Sequence, residues 1–164
     1  MSEPGIAELT VEASLPLPAG VTDESIASLV LHVLCAEEAD GDWTLGFRFV
    51  DDAEMQRMHL AFMGLDSSTD IMTFPIADDD AWSFGVDDDD AAESCGGDIV
   101  ISVDRAVDQA GEGDWDDRHE LLFLIVHGLL HLLGWDDHDN ADRVAMLDRQ
   151  RDLLGSWEAS GNLG

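Results

Sequence analysis

Residues 121–138 read LLFLIVHGLLHLLGWDDH, and this stretch decides how the chain is expected to fold. Its apolar residues lie nearly all round a helix, which is typical of a helix buried at the centre of a domain. His127 and His131 are four residues apart, so they project from the same face, one turn apart. Gly134 suits the position just after the helix end, and His138 follows it closely.

The histidines predict a metal site. Burying two imidazoles on a leucine-rich helix costs free energy unless each finds a partner, and a shared cation satisfies both. Three imidazoles that leave one coordination position open to water are typical of a catalytic zinc site. We therefore predict that His127, His131 and His138 bind one Zn²⁺ per chain in a metal-dependent hydrolase. Nickel, copper and manganese remain alternatives by ligand type.

The residues between the histidines limit the chemistry. A zinc protease carries a glutamate directly after the first histidine, as its general base. Gly128 stands there instead and cannot transfer protons, so peptide hydrolysis by that route lacks its base. Glycine fits either close approach of a substrate or simple helix packing. Asp136 and Asp137 either orient a ligand imidazole, handle protons or belong to a solvated turn.

Apolar periodicity predicts the element order β-α-β-α-β-β-α-α-α. Helix starts are indicated at Thr22, Asp51 and Asp117, and Gly155 is expected to end the last helix. Residues 78–97 are expected to form an acidic mobile loop. We predict one domain over residues 1–164, of the α+β or α/β class. Its mixed four-stranded sheet packs against helices, with the histidine helix buried at the centre.

The chain is strongly acidic, with 37 acidic residues against seven arginines and no lysine, a net charge of −30. Such a surface repels phosphate backbones and anionic membranes at ordinary salt. Two interpretations remain open. The acidity is either an ordinary solvated surface or an adaptation to molar intracellular salt, where the Debye length is about 3 Å.

A cytoplasmic location is expected from three further features. The first thirty residues contain no secretory signal, and the apolar stretch 121–133 is too short to span a bilayer. Cys35 is predicted on a helix and Cys95 in a loop, with no paired spacing between them. A reduced, internal compartment is therefore the simplest expectation.

The block from His127 to His138 resembles the signature of the YbeY family of ribosomal RNA maturation endoribonucleases. Residues 69–75 (TDIMTFP), residues 97–101 (GDIVI) and the pair Glu120-Leu121 agree in order and spacing. The resemblance spans roughly residues 8–155. It implies an α/β metallo-hydrolase fold, a three-histidine zinc site and single-strand-specific endoribonuclease activity. It also implies roles in maturing the 3′ end of small-subunit ribosomal RNA and in ribosome quality control.

The partners implied by this resemblance are single-stranded ribosomal RNA and the small ribosomal subunit or ribosome-associated proteins, with no membrane and no DNA. Two other functions remain open. The chain is either a ribosome-associated binding factor with a structural metal or a metal-dependent hydrolase with a substrate other than RNA.

The third ligand departs from the family pattern. The usual spacing has one residue fewer before the third histidine, so Asp137 occupies the standard position and His138 follows it. We expect His138 to complete the metal site, because a loop can absorb one residue, and we keep Asp137 as the alternative.

The expected RNA contacts also depart from the family. Met63 stands where many members carry an arginine that can meet the RNA phosphate, and His59 stands where those members often have asparagine. Candidates to replace the arginine are Arg48, Arg57 and Arg118. Trp135 either stacks on an RNA base or packs in the core.

Overall fold

In the part of the chain that the structure describes, strands and helices follow one another in the predicted order, β-α-β-α-β-β-α-α-α. The computed structural model describes residues 4–39, 41–65, 69–75, 95–113, 116–135, 137 and 139–159. The strands in these ranges are β1 (Pro4–Ala13), β2 (Gly41–Val50), β3 (Ile71–Pro75) and β4 (Cys95–Ser102). The helices there are α1 (Asp23–Ala36), α2 (Asp52–Met63), α3 (Val103–Gly113), α4 (Asp117–Leu132) and α5 (Asn140–Ala159). No helix in this part of the chain has the length and apolar character needed to cross a membrane.

The strands form a mixed sheet of the order β1-β2-β4-β3, which confirms the predicted fold class. β1, β2 and β4 are parallel, and β3 is antiparallel to β4. Alternate residues of β2 and β4 face the main core and are fully or almost fully buried: Leu45, Phe47, Phe49, Ile99 and Ile101. The other face is partly covered by α2, where Met55 packs with Val50, Met72 and Val100.

α4 is the central helix, as predicted. Residues 120–126 and 128–130 are buried, because the helix packs against the sheet, α1, α3 and α5. Gly128 makes this packing close. A Cβ atom there would lie 3.0 Å from Ile99 Cδ1 and 3.1 Å from Ile71 Cδ1. Gly128 therefore serves the packing of the helix against the sheet, which was one of its two interpretations.

The predicted boundary between the acidic loop and β4 is wrong. β4 begins at Cys95, so residues 95–97 of the expected loop 78–97 belong to the strand, and residues 78–94 lie outside the described residues. Glycines suggested a loop but have a different role here. Gly96 has a positive φ of 138°, and a Cβ atom there would overlap the carbonyl oxygen of Thr44 on β2. The strand pairing itself requires glycine.

Helix boundaries differ at two places. Asp116, not Asp117, caps α4, because its Oδ1 accepts a hydrogen bond of 2.7 Å from the backbone N–H of His119. Gly155 does not end α5, which continues to Ala159. Burial of Trp157 stabilises this last turn enough to offset the roughly 1 kcal/mol that a helical glycine costs. The caps at Thr22 and Asp51 are confirmed.

Candidate metal centre

The last turns of α4 and the loop after it bring three side chains together. His127 and His131 project from the same face of the helix, and their Nε2 atoms lie 3.0 Å apart. Gly134 follows the helix with a φ of 102°, a left-handed conformation that turns the chain. Asp137 then returns to the histidines, with its Oδ2 atom 3.7 Å from His127 Nε2 and 3.6 Å from His131 Nε2.

The other ring nitrogen of each histidine is held from outside the site. His127 Nδ1 donates a hydrogen bond of 2.9 Å to Gln150 Oε1, on α5. His131 Nδ1 donates one of 3.1 Å to the backbone carbonyl oxygen of Trp135. A carbonyl oxygen only accepts, so both Nδ1 atoms carry a proton and the neutral rings keep their lone pairs on Nε2. Both lone pairs belong to the nitrogens that face Asp137.

The donor set fits a divalent cation. Two lone pairs and a carboxylate oxygen that face one another repel, and a shared cation turns this repulsion into attraction. Ligand atoms about 2.0–2.1 Å from a tetrahedral ion lie about 3.3 Å apart, close to the observed separations. His127, His131 and Asp137 are thus a group able to hold a metal ion. Their side chains are 19%, 26% and 34% exposed, so solvent and substrate can reach the site.

The structure brings together two of the three predicted ligands, His127 and His131. His138 and Asp136 lie outside the described residues. Asp137, the alternative third ligand, is the residue that completes the described group.

The sequence patterns did not predict the side chains that support the two histidines from other helices. Gln150 is 1% exposed and lies on the apolar face of α5, among Met146, Leu153, Leu154 and Trp157. A glutamine in that apolar pattern was the available signal, since a buried amide needs hydrogen-bond partners. Glu37, at the end of α1, accepts a hydrogen bond from the indole N–H of Trp135 and carried no such signal in the sequence.

Trp135 has two roles. Its backbone carbonyl oxygen accepts the hydrogen bond from His131, and its side chain packs against the core. Its indole ring is partly buried against the core, and Nε1 donates a hydrogen bond of 2.8 Å to Glu37 Oε1. Core packing, one of its two predicted roles, is thereby confirmed. Stacking on an RNA base stays a prediction.

The three candidate arginines lie on different elements. Arg48 lines a groove of about 440 Å³ on the α2 side of the sheet, with Phe62, Phe74 and Asp98. Phe62 is 63% exposed there. Arg57 forms an ion pair with Glu54 within α2.

Arg118 lies in the first turn of α4, whereas the histidines lie in its last turns. Its Nη1 atom is 3.9 Å from Glu158 Oε2. His59 belongs to α2, which ends at Met63. Replacement of the family arginine by one of the three candidates stays a prediction.

Comparisons with known proteins identify the family. A family model described as Endoribonuclease YbeY matches residues 18–158. The chain is 39% identical over 150 residues to Endoribonuclease YbeY of Roseiflexus sp. (strain RS-1), covering 90% of this chain and 92% of that protein. It is 33% identical to the protein of the same name from Rhodococcus opacus (strain B4), covering 91% of this chain and 82% of that protein.

A solved structure agrees in fold. The solution structure of TM1509 from Thermotoga maritima superimposes with a TM-score of 0.57 at 19% identity, covering 94% of both chains. With the family match over most of its length and relatives above 30% identity, the chain belongs to the YbeY family of endoribonucleases.

Proposed function

We propose that this chain is a zinc-dependent, single-strand-specific endoribonuclease of the cytoplasm. Its substrate is ribosomal RNA, at the 3′ end of the small-subunit RNA, and it takes part in ribosome quality control in contact with the small subunit or its associated proteins. The convergence of His127, His131 and Asp137 carries the proposal, because a nuclease of this family needs a place for a catalytic metal.

The ligands that we propose are His127 and His131, through Nε2, and a third residue from the following loop. Asp137 is the third ligand favoured by the described geometry, and His138 is the one favoured by residue type. When bound, a divalent cation supplies Lewis acidity that activates water and offsets charge on a phosphodiester. Zinc is our choice of ion because it takes imidazole nitrogen and carboxylate oxygen together.

The chain's own residues hold this site ready. The Nδ1 hydrogen bonds of the two histidines fix both rings before any ligand arrives, which lowers the reorganisation needed when the metal and RNA bind. Partial exposure of the three side chains leaves a path for an unpaired strand. The Asp137 carboxylate brings negative charge next to the two neutral rings and attracts a cation there.

The test is cleavage of labelled single-stranded RNA with the sequence of the small-subunit 3′ end, beside a matched duplex, at low and high salt. Wild-type protein with zinc is compared with His127→Ala and His131→Ala. His119→Ala is the matched control, since His119 belongs to the same helix but stacks on Phe123 near its start. We expect the two site variants to lose cleavage and the control to keep it.

Three results would contradict the proposal. Cleavage that survives both site substitutions excludes the zinc mechanism. Absence of RNA cleavage by the wild-type protein, together with its co-sedimentation with ribosomal subunits, supports a binding factor. Zinc-dependent hydrolysis of an ester substrate without any RNA cleavage supports a hydrolase with another substrate.

A further inference from the structure

We propose that Gln150 is a positioning residue of the metal centre, which selects the proton position on His127 and so presents Nε2 to the metal. The proposal rests on the metal-binding role proposed above. It concerns a residue of α5, 23 positions away from His127 in the sequence.

Gln150 is almost fully buried, and both ends of its amide are used. Its side chain is 1% exposed. Oε1 accepts the hydrogen bond from His127 Nδ1 at 2.9 Å, and Nε2 donates one of 3.3 Å to the backbone carbonyl oxygen of Phe123. An amide buried to this degree needs such partners, because an unsatisfied group costs about 1–3 kcal/mol.

The carbonyl oxygen of Phe123 determines which way the amide points. If the amide were flipped, its oxygen would face that carbonyl oxygen, and two acceptors would lie against each other. The NH₂ group must therefore face Phe123, which leaves Oε1 facing His127. An oxygen only accepts, so the proton of the neutral imidazole belongs on Nδ1, and the lone pair belongs on Nε2.

The two histidines are thus fixed by different means. His131 receives its acceptor from the main chain, at the carbonyl oxygen of Trp135, which no substitution removes directly. His127 depends on a single side chain. Substitution of Gln150 therefore acts on one histidine of the pair and leaves the partner of the other in place.

Two variants separate the acceptor from the packing. Gln150→Met and Gln150→Glu both fill similar space, and neither keeps the amide N–H that donates to the carbonyl oxygen of Phe123. Only Gln150→Glu keeps an oxygen for His127 Nδ1. The affinity of each folded protein for zinc is measured by competition with a chromogenic chelator. The position of the imidazole proton is measured by nitrogen-15 NMR on the metal-free proteins.

We expect Gln150→Met to bind zinc about 10–100-fold more weakly than the wild type, the usual effect of losing a group that orients a ligand. Gln150→Glu is expected to bind at least about 10-fold more tightly than Gln150→Met. In the metal-free wild type and in Gln150→Glu, the His127 proton stays on Nδ1. In Gln150→Met, a population with the proton on Nε2 appears.

Equal zinc affinities of the two variants would overturn the proposal, since packing would then explain the effect. An unchanged His127 proton position in Gln150→Met would overturn it as well. A wild-type protein that binds no zinc would contradict the proposed function instead. The NMR comparison would still decide the role of Gln150, because it needs no metal.

Discussion

Trp135 Nε1 donates a hydrogen bond of 2.8 Å to Glu37 Oε1, which ties the loop after α4 to the end of α1. The second oxygen of Glu37 accepts from Arg149 Nε on α5 at 2.5 Å. The backbone carbonyl oxygen of the same tryptophan accepts the hydrogen bond from His131 Nδ1. The Glu37 carboxylate therefore joins α1 and α5 to the loop after α4, and the main chain of that loop orients His131.

Replacing Glu37 by alanine is expected to weaken both the fold and the site. Glu37 is 12% exposed, so the substitution leaves Arg149 and the indole N–H without their acceptor in a largely buried place. We expect the free energy of unfolding to fall by about 2–3 kcal/mol, and zinc affinity to fall through the loosened loop. Urea denaturation and chelator competition measure the two effects.

The matched control for that substitution is Asp148→Ala. Asp148 pairs with Arg151 on the same helix as Arg149, but the two side chains are 66% and 59% exposed. An exposed pair of this kind contributes little, so we expect a change within about 0.5 kcal/mol. Equal losses for Glu37→Ala and Asp148→Ala would show that the Glu37 contacts carry no special weight.

Two helical glycines should respond in opposite directions to alanine. At Gly155 an added Cβ meets nothing within 4 Å, so Gly155→Ala is expected to raise the free energy of unfolding by about 0.5–1 kcal/mol. At Gly128 the Cβ would press on Ile99 and Ile71, and overpacking of about 1–3 kcal/mol outweighs the gain in helix propensity. Thermal or urea unfolding of both variants checks this. Stabilisation by Gly128→Ala would show that the isoleucines yield easily.

The sequence predicted what depends on local periodicity. The order of elements, the burial of α4 and the meeting of His127 with His131 all follow from spacing within single elements. The contacts that hold the site from outside the helix join more distant residues: Gln150 lies 23 positions from His127, and Glu37 lies 98 positions from Trp135. No periodicity reports such a contact. The loop prediction around Gly96 was wrong for a related reason. Glycine is required there by the backbone of the neighbouring strand, which no local pattern reports.

His32 should make the stability depend on pH. Burial lowers the pKa of His32 below its ordinary value of 6.5, and the nearby Arg149 guanidinium adds to this. The unfolded state then binds the proton more readily, so the free energy of unfolding falls as pH drops below about 6.5.

His32→Gln removes this titration and keeps a polar group near Ser156 Oγ, which lies 2.8 Å from His32 Nε2. Denaturation of both proteins is measured between about pH 5 and pH 8, across the ordinary histidine pKa. We expect the stability of the wild type relative to the variant to decline toward acid. A constant difference would mean that His32 does not titrate differently on folding.

Salt should stabilise this protein. The net charge of −30 gives strong self-repulsion, which salt screens as the Debye length falls from about 10 Å at 0.1 M to about 3 Å at 1 M. We expect Tm to rise over that range of KCl. Sucrose at matched osmolarity is the control for general exclusion effects. A Tm that does not change with KCl concentration, or one that rises equally in sucrose, would contradict adaptation to salt.

The third metal ligand can be identified by two substitutions. Asp137 Oδ2 lies within 3.7 Å of both Nε2 atoms, and Asp137→Asn removes its charge while keeping its size. If the carboxylate binds the ion, we expect zinc affinity to fall about 10-fold or more in Asp137→Asn, while His138→Gln changes it little. Chelator competition on both variants decides this, because a three-histidine site gives the reverse order.

A carboxylate as the third ligand also makes the site more favourable for manganese than three imidazoles would. We therefore expect the ratio of zinc affinity to manganese affinity, measured by competition on the wild-type protein, to be smaller than for a three-histidine site.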